Sequence, residues 1–281
     1  MEQPTVTVML TCYNRIKYTI PCVEALVEGN PKVSFHFIIT DDNSTDGTME
    51  ALKKLPYSIT LLSGTGQLFW NGGMKKSLDF ALTKAEKTDY YLLVNDDVAF
   101  FKGSIEALIN RQKAALKDGV QGQAVIVGST EDRSGRTSYG GVKLLSKHFA
   151  RFALVEPSEA YEECDTFNGN CVLIPREVFF RAGNVDSAYR HSMSDYDYGM
   201  RIRKLGFMIY NSSAHIGKCN DNDVAGSWRD AALGRVERLK KKESPKGLPR
   251  RDWYHFIRKN YGFFPAIYHS ITPYIRILLG I

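Results

Sequence analysis

The 281-residue sequence lacks several patterns that would place it in a common class. Its five cysteines, Cys12, Cys22, Cys164, Cys171 and Cys219, form no CxxC pair, which argues against a zinc framework and predicts a reducing compartment. The opening MEQPTVTVML has no basic region followed by a cleavage site, so we expect no signal peptide. The longest apolar runs fall short of about 18 residues, so we expect no membrane-spanning helix.

Two nucleotide-binding signatures are also missing. No GxGxxG follows the first apolar run, and GxxxxGK[ST] occurs nowhere, so dinucleotide and P-loop interpretations are weak. What is present is typical of a soluble globular protein: 43% of the residues are hydrophobic and 24% are charged. The length suits one or two domains with a substantial core.

The net charge of +6 is unevenly distributed along the chain. Residues 235–281 contain eleven Lys and Arg against three Asp and Glu, a balance of +8. The first 234 residues contain the remaining 26 and 28, a balance of −2. This division predicts a nearly neutral body and a basic C-terminal segment that could meet an anionic surface.

Strand-like apolar runs alternate with helical patterns in the first half of the chain. Strands are predicted at 6–12, 33–40, 57–63 and 90–94, and helices at 17–28, 48–55, 74–84 and 104–116. This alternation predicts right-handed βαβ units and a mostly parallel sheet. The second half is less regular, with strands expected at 123–129, 137–144, 149–155, 167–174 and 207–211 and a helix from Ser194 to about 205.

Polar clusters stand where the predicted strands end. They are TCYNR at 11–15, DDNSTDG at 41–47 and NDD at 95–97, the last inside the apolar stretch LLVNDDVAF. Each cluster alone suits a capped turn, but the carboxyl ends of parallel strands meet at one sheet edge. Buried carboxylates also need a partner or a cation. We therefore expect one shared site at this edge.

The ordered motifs resemble those of a known family. CYNR, DDNSTDGT, GQLFWNGGMKKSL, LLVNDDV, FNGNCVLIP and SDYDYGMRIRKLG, spread over residues 5–215, resemble family 2 glycosyltransferases with the GT-A fold, most of all bacterial surface-polysaccharide enzymes of rhamnosyltransferase-like type. The resemblance implies an α/β fold with a mostly parallel mixed sheet flanked by helices. It implies a catalytic domain at 1–228, divided into a nucleotide-binding half (1–130) and an acceptor half (131–228), and a basic, aromatic, helical extension at 229–281.

The resemblance also implies a nucleotide-sugar site. Tyr13 could pack on the base, while Asp42, with Asp41 as second choice, could accept hydrogen bonds from base or ribose. A helix N-terminus at Asn71 would let the backbone approach the donor. The full donor set is Thr11, Tyr13, Asn14, Arg15, Asp41, Asp42, Asn71, Gly72, Gly73, Asn95, Asp96 and Lys218.

The NDD cluster resembles the DXD motif of the family, with Asn95 in place of the first Asp. An amide is a poorer ligand for a hard cation, so Asp97 is the expected ligand of Mg²⁺ or Mn²⁺ and Asp96 is expected to face ribose or sugar. His215 resembles a late histidine that completes the metal shell in several members. A structural role for this lone histidine is the alternative.

On the acceptor side, SDYDYGMR resembles the ED motif, which makes Asp195 the expected catalytic base. Asp197 would point about 200° away on a helix and is four residues from Arg201, a spacing that favours an ion pair. It is expected to be a scaffold or an acceptor contact. Residues 167–170 are expected to form the acceptor floor, with a buried β-turn as the alternative; they are Phe167, Asn168, Gly169 and Asn170.

The expected activity is inverting, metal-dependent transfer of one sugar from a UDP- or dTDP-sugar to a glycan or lipid-linked acceptor in bacterial polysaccharide synthesis. The QxxRW signature of processive relatives is missing, which favours single-sugar addition. A sugar-1-phosphate nucleotidyltransferase is the first alternative, although CYNRIKYT lacks the glycines of its N-terminal loop. An RNA-binding protein is the second, although no RNA module is recognisable and no nucleic-acid partner is expected.

The expected location is the cytoplasm, with the C-terminal segment at the inner face of the membrane. Trp253, Tyr254 and Phe256 alternate there with Arg250, Arg251 and Arg258 in a mixture that suits a lipid headgroup region. Packing on the catalytic domain and a homodimer interface are the alternatives.

Overall fold

The computed structural model describes residues 3–84, 88–117, 123–146, 148–221 and 224–280. Its strands are β1 (Thr5–Cys12), β2 (Ser34–Asp41), β3 (Ile59–Ser63), β4 (Tyr90–Val94), β5 (Ala99–Phe100), β6 (Ala124–Glu131), β7 (Thr137–Tyr139), β8 (Gly141–Leu144), β9 (Phe152–Leu154), β10 (Thr166–Phe167), β11 (Cys171–Pro175) and β12 (Met208–Lys218). Its α-helices are α1 (Ile16–Gly29), α2 (Thr48–Lys54), α3 (Phe69–Lys84), α4 (Ser104–Lys117), α5 (Arg176–Ala182), α6 (Ser194–Lys204), α7 (Arg235–Glu243), α8 (Arg250–Tyr261) and α9 (Phe263–Leu279), with a 3₁₀ turn at Pro245–Gly247.

The main sheet has the strand order β3-β2-β1-β4-β11-β6-β12-β5, and β7 pairs with β6 beside this path. Strands β1 to β4 run parallel to one another, and β11 is antiparallel to both β4 and β6. A smaller sheet has the order β10-β8-β9. This mixed α/β architecture confirms the expected fold class.

The core lies on both faces of the main sheet because successive side chains of a strand point to opposite faces. In β1, Val8 and Leu10 pack in one buried layer with residues of α1 and α4, while Met9 packs in the other with residues of α3, α5 and α6. Both layers are apolar, and the carboxylates Asp41, Asp42, Asp96 and Asp97 lie at or just beyond the ends of β2 and β4. The functional side chains therefore gather at the sheet edge.

The C-terminal helices α8 and α9 pack together and cover part of the acceptor half. Trp253 and Phe256 of α8 form a third buried cluster with Tyr189 and with Met200 of α6. The C-terminal segment thus packs against the helix that carries Asp195. No described helix combines the length and apolar character needed to cross a bilayer.

Several element boundaries differ from those predicted. The expected strand 137–144 is divided into β7, which pairs within the main sheet, and β8, which belongs to the smaller sheet. Gly140 lies where the chain passes between the two sheets, and a Cβ there would clash with Ser129. β12 extends to Lys218, since it pairs with β6 and then β5. Helix α3 begins at Phe69, so Asn71 lies in its first turn rather than before it.

Candidate active site

The ends of β1 and β2 are joined by reciprocal hydrogen bonds. The Asn14 amide donates to Ser44 Oγ (2.8 Å), and Asn14 Oδ1 accepts from the Thr45 amide (2.7 Å). Asn14 adopts a positive φ of 52°, which this residue type tolerates better than most. The exposed Tyr13 lies next to this junction. The first two polar clusters therefore meet, as the parallel arrangement predicts.

Asp42 organises the loop that follows β3. One carboxylate oxygen accepts from the amides of Thr65 (3.0 Å) and Gly66 (2.7 Å), and the other accepts from the amide of Leu68 (2.8 Å). Asp41 similarly accepts from the Ser44 amide (3.1 Å). Both carboxylates are buried, so these amides supply the partners that their charges need.

Arg15 joins the third cluster to the first. Its Nε lies 2.9 Å from Asp96 Oδ1, and its terminal nitrogen donates to Asp97 Oδ2 (3.0 Å). Thr19, one turn later on α1, donates to Asp96 Oδ2 (2.7 Å). Burial raises the pKa of Asp96 to about 6, against the opposing effects of Arg15 and Thr19. Helix α1 thus holds the NDD turn in place.

Asp97 is the more exposed carboxylate of the pair, with 39% of its side chain accessible. Its other oxygen lies 3.7 Å from Cys219 Sγ at the end of β12. Within the described ranges, no group of three or more His, Cys, Asp or Glu side chains could hold a metal ion. Asp97 offers a hard, accessible oxygen that suits Mg²⁺ or Mn²⁺, but most of the coordination shell would have to come from a donor diphosphate or water.

His215 and Lys218 contact other side chains. His215 Nε2 lies 2.9 Å from Thr137 Oγ1, and Nδ1 lies 3.5 Å from Glu131 Oε2. Lys218 Nζ lies 3.6 Å from Glu131 Oε1, and its side chain is 61% exposed. Both ring nitrogens of His215 thus have side-chain partners, whereas Lys218 keeps the accessibility that an anion contact needs.

Asp195 stands at the first turn of α6, beside the loop between β10 and β11. Its Oδ2 accepts from the Gly169 amide (3.0 Å), and its Oδ1 accepts from the Tyr196 amide (2.9 Å). Burial raises the pKa of Asp195 to about 6, and these two amides oppose that shift. The carboxylate is ionised near neutral pH and is a stronger base than an exposed aspartate.

A short turn connects Asp195 to the NDD cluster. The Asn95 amide donates to the Asn170 carbonyl (3.1 Å), and the Asn170 side chain lies 3.7 Å from Cys219 Sγ. The amide of Gly169, the residue before Asn170, donates to Asp195. The turn therefore contacts both Asp195 and the NDD cluster.

Trp70 packs into this turn and also binds the NDD cluster. Its Nε1 donates to Asn95 Oδ1 (2.7 Å), and a Cβ at Gly169 would lie 2.7 Å from the indole ring. The Trp70 amide donates to His191 Nδ1 (3.4 Å), and burial lowers the pKa of His191 to about 4. The indole thus links Asn95 to the base side of the site, so it is more than a packing residue.

Asn71 is buried and fully hydrogen-bonded. Its Nδ2 donates to the carbonyls of Asp186 (3.0 Å) and Tyr189 (2.7 Å), and its Oδ1 accepts from the Ser194 hydroxyl. These contacts connect α3 to the start of α6. Gly73 is needed for close packing, because a Cβ there would clash with Thr11. Gly72 faces Leu68.

The acceptor candidates Phe167 and Asn170 have buried side chains, whereas Asn168 is partly exposed. Phe167 is fully buried and packs with Tyr198, and Asn168 exchanges backbone and side-chain hydrogen bonds with Gly140. Asn170 is itself buried. Most of residues 167–170 therefore face the protein interior, and Gly169 makes the direct contact with Asp195.

The expected ion pair between Asp197 and Arg201 does not form. Asp197 is buried and accepts from Lys259 Nζ (2.7 Å) and Asn260 Nδ2 (3.2 Å) of α8. Arg201 donates to the Asn184 carbonyl instead. The local i,i+4 rule fails here because α8 covers this side of α6 and supplies a closer cation.

Sequence reasoning missed the residues that support the site. They are Thr19, His191, Cys219 and Lys259. The position of Thr19, one turn after Arg15, was a usable signal, because both side chains then lie on one face of α1. The other three reach the site from distant parts of the chain and had no local signal.

A family model and a characterised relative match the sequence of this chain. The model of the glycosyl transferase family 2 matches residues 7–180, more than half of the chain. The N-acetylglucosaminyl-diphospho-decaprenol L-rhamnosyltransferase of Mycobacterium tuberculosis is 25% identical over 200 residues, covering 64% of this chain and 64% of the relative. The alignment thus spans less than two thirds of that relative's length.

Solved structures show the same fold. The mannosyltransferase PcManGT from Pyrobaculum calidifontis, in complex with GDP-Man and Mn²⁺, superposes with a TM-score of 0.56 at 16% identity, over 99% of this chain and 74% of that one. The S. aureus TarS fragment 1–349 with UDP-GlcNAc gives 0.55 at 14% identity, over 97% and 81%. These likenesses confirm the GT-A fold.

Proposed function

The chain belongs to glycosyltransferase family 2, and from this premise we propose that it transfers one sugar from a nucleotide sugar to a glycan or lipid-linked acceptor with inversion. The observation that carries the proposal is the short turn of Gly169 and Asn170, which contacts Asp195 on one side and Asn95 on the other. The proposed base, Asp195, then lies beside the acidic NDD cluster, where the donor diphosphate is proposed to bind. That is the arrangement an in-line displacement needs.

The proposed donor site is the edge formed by β1, β2 and β4. We propose that Arg15 and Lys218 neutralise a bound diphosphate and that the exposed Tyr13 stacks on the base. Asp41 and Asp42 line this edge, and the Oδ2 atom of each accepts from one amide, which leaves it a second lone pair for a ligand. We propose that Asn71, Gly72, Gly73 and Thr11 act by positioning α3 against this edge.

We propose that Mg²⁺ or Mn²⁺ assists the reaction, with Asp97 as the protein ligand. A bound divalent cation would stabilise the charge of the departing nucleoside diphosphate. Asp97 already contacts Arg15, so the guanidinium either shares this role or moves aside when the cation binds. The mannosyltransferase structure that contains Mn²⁺ supports metal dependence by analogy of fold.

Asp195 is the proposed base that takes the proton from the acceptor hydroxyl. Its raised pKa strengthens it as a base while leaving it ionised near neutral pH. The amides of Gly169 and Tyr196 fix the orientation of the carboxylate. Gly169 and Asn168 would border the acceptor, and the buried Phe167, Asn170 and Asp197 would support that surface from below.

The substrate proposals follow the rhamnosyltransferase relative, whose name gives a lipid diphosphate-linked acceptor. We propose a UDP- or dTDP-sugar as donor and a role in bacterial surface-polysaccharide synthesis. We also propose that residues 1–228 form the catalytic domain and that residues 229–281 form an extension. The family match covers residues 7–180 and so lies wholly within the proposed catalytic domain.

A screen of nucleotide sugars by thermal shift, with Mg²⁺ or Mn²⁺ and with EDTA, tests the proposal. A donor present at 100 times its Kd would stabilise the protein by about 2.7 kcal/mol, enough to raise Tm by several degrees. The expected result is a shift with one class of nucleotide sugar that disappears in EDTA. Release of pyrophosphate from a nucleoside triphosphate and a sugar 1-phosphate would overturn it in favour of a nucleotidyltransferase.

A further inference from the structure

The last helix, α9, presents apolar side chains to solvent. Ala266, Ser270 and Ile277 face the protein, and the opposite face is apolar as well. Its exposed large apolar residues include Phe264, Ile267, Ile271, Ile275 and Leu278, with Phe264 82% and Leu278 57% accessible. A surface helix normally has charged or polar residues on its outer side, so this apolar face requires another explanation.

The apolar face continues beyond α9. The exposed Phe149 makes ring contacts with Tyr268 (6.1 Å between centroids) and His269 (6.0 Å). Phe263, at the start of the helix, lies 5.7 Å beneath the guanidinium of Arg258. The exposed surface is thus a strip of aromatic and aliphatic groups, broader than a single row of side chains.

The exposed charges carried by α8 and α9 themselves have one sign, although Lys259 pairs with Asp186 and Asp197, and Glu243 of α7 accepts a hydrogen bond from Tyr274 of α9. Helix α9 contains no acidic residue, and the sole acid of α8, Asp252, is buried, where it accepts from the Arg190 amide (2.8 Å). The exposed charged side chains of these two helices are therefore all basic: Arg250, Arg251, Arg258, Lys259 and Arg276. The strip and its surroundings combine apolar side chains with positive charge.

We propose that the outer face of α9 lies in the headgroup region of an anionic lipid bilayer, with its axis parallel to the membrane surface. Apolar and aromatic groups enter the boundary of the acyl chains, while arginines meet anionic headgroups. The helix has 17 residues, a length of about 25 Å, and is interrupted by Pro273 and Arg276, which suits a surface position. This inference goes beyond the proposed transfer reaction and does not rest on it.

The same charge pattern argues against a second copy of the chain as the occupant. A twofold interface would place each basic face against its own equivalent, and like charges would then oppose one another. An anionic bilayer presents the complementary sign instead. Charge complementarity therefore favours lipid over self-association.

Co-sedimentation with vesicles tests the proposal on the full-length protein. Vesicles of phosphatidylcholine alone and of phosphatidylcholine with phosphatidylglycerol are compared at low and high salt. Ile271→Glu removes apolar contact and adds a negative charge at the centre of the strip. The matched control is Val236→Glu, which makes a comparable change at an exposed position of α7. Circular dichroism and the donor-induced thermal shift check that each variant is folded.

We expect wild type and Val236→Glu to bind the phosphatidylglycerol vesicles in a salt-sensitive way. We expect the affinity of Ile271→Glu for these vesicles to be lower by a factor of about ten or more. Phe264→Ser, at the most exposed position, provides a second variant should Ile271→Glu fail to fold. Wild type that ignores both vesicle types would overturn the proposal. An equal loss of vesicle binding in Val236→Glu would also overturn it. The same holds if light scattering shows a wild-type dimer that Ile271→Glu converts to a monomer. A failed donor shift with intact vesicle binding would count against the transfer reaction alone.

Discussion

Lys259 Nζ lies 2.7 Å from Asp197 Oδ2 and 2.8 Å from Asp186 Oδ2, so a lysine of α8 binds two carboxylates within residues 1–228. Asp197 stands two residues after Asp195, the proposed base. Burial opposes the charge on Lys259, but its bonds to the two aspartates outweigh this and raise its pKa. The C-terminal extension therefore helps to hold the helix on which the proposed chemistry depends.

Lys259→Met should lower the free energy of unfolding by about 2–3 kcal/mol, because Asp197 is buried and would lose its cation. The loss is smaller than for a fully buried pair, since Lys259 is partly exposed and Asn260 still donates to Asp197. Urea unfolding measures it. Arg258→Met, at the preceding exposed position, is the control and should cost far less. A double variant with Asp197→Asn that regains none of the lost stability would contradict the pairing.

Gly169→Ala should disturb the base side of the site. A new Cβ would lie 2.7 Å from the Trp70 ring, and relieving this overlap should cost about 1–3 kcal/mol and shift the Gly169 amide away from Asp195. We expect a lower kcat with donor affinity largely kept. Gly29→Ala is the control, because its Cβ would meet Lys102 at an ordinary 3.6 Å. Unchanged kcat and Tm in Gly169→Ala would refute this account of the turn.

Local patterns predicted the first half of the fold well. The alternation of apolar strands and amphipathic helices, and the polar residues at strand ends, correctly placed the carboxyl ends of β1, β2 and β4 side by side. Long-range contacts were harder to foresee. Asp197 has Arg201 four residues away, yet it pairs with Lys259, 62 residues distant, because α8 packs over α6. A single sequence indicates which side chains need a partner, but the packing of helices decides which partner they receive.

The same limit applies to Asn71. Its position in the FWNGG motif suggested a donor contact, but its side chain binds the carbonyls of Asp186 and Tyr189, more than a hundred residues later. An amide in a glycine-rich stretch suits either role, and only the fold shows which carbonyls lie opposite it. The position of Asp195 was easier to predict, because its motif places it in the first turn of a helix.

Asp97→Asn should abolish the cation-dependent part of nucleoside diphosphate binding, because the amide keeps the shape of the side chain but is a poor ligand for a hard cation. Calorimetry with UDP or dTDP, with Mn²⁺ and with EDTA, measures this part directly. Asp79→Asn is the control, since Asp79 is exposed and pairs with Lys75 outside the site. Wild-type protein that binds the diphosphate equally well in EDTA would remove the proposed role of the cation.

Asp195→Asn should reduce kcat by roughly 10²–10⁴-fold and leave donor affinity nearly unchanged, because a base acts in the transition state and not in donor binding. The wild-type pH profile provides the second test. Burial raises the pKa of Asp195 to about 6, and the base works in its ionised form. Activity should therefore be level above that pH and fall about tenfold for each pH unit below it. Asp195→Asn should lose this acid limb, since an amide does not titrate. If the variant keeps both its turnover and its acid limb, another carboxylate is the base, and Asp197→Asn would then have to show the loss instead.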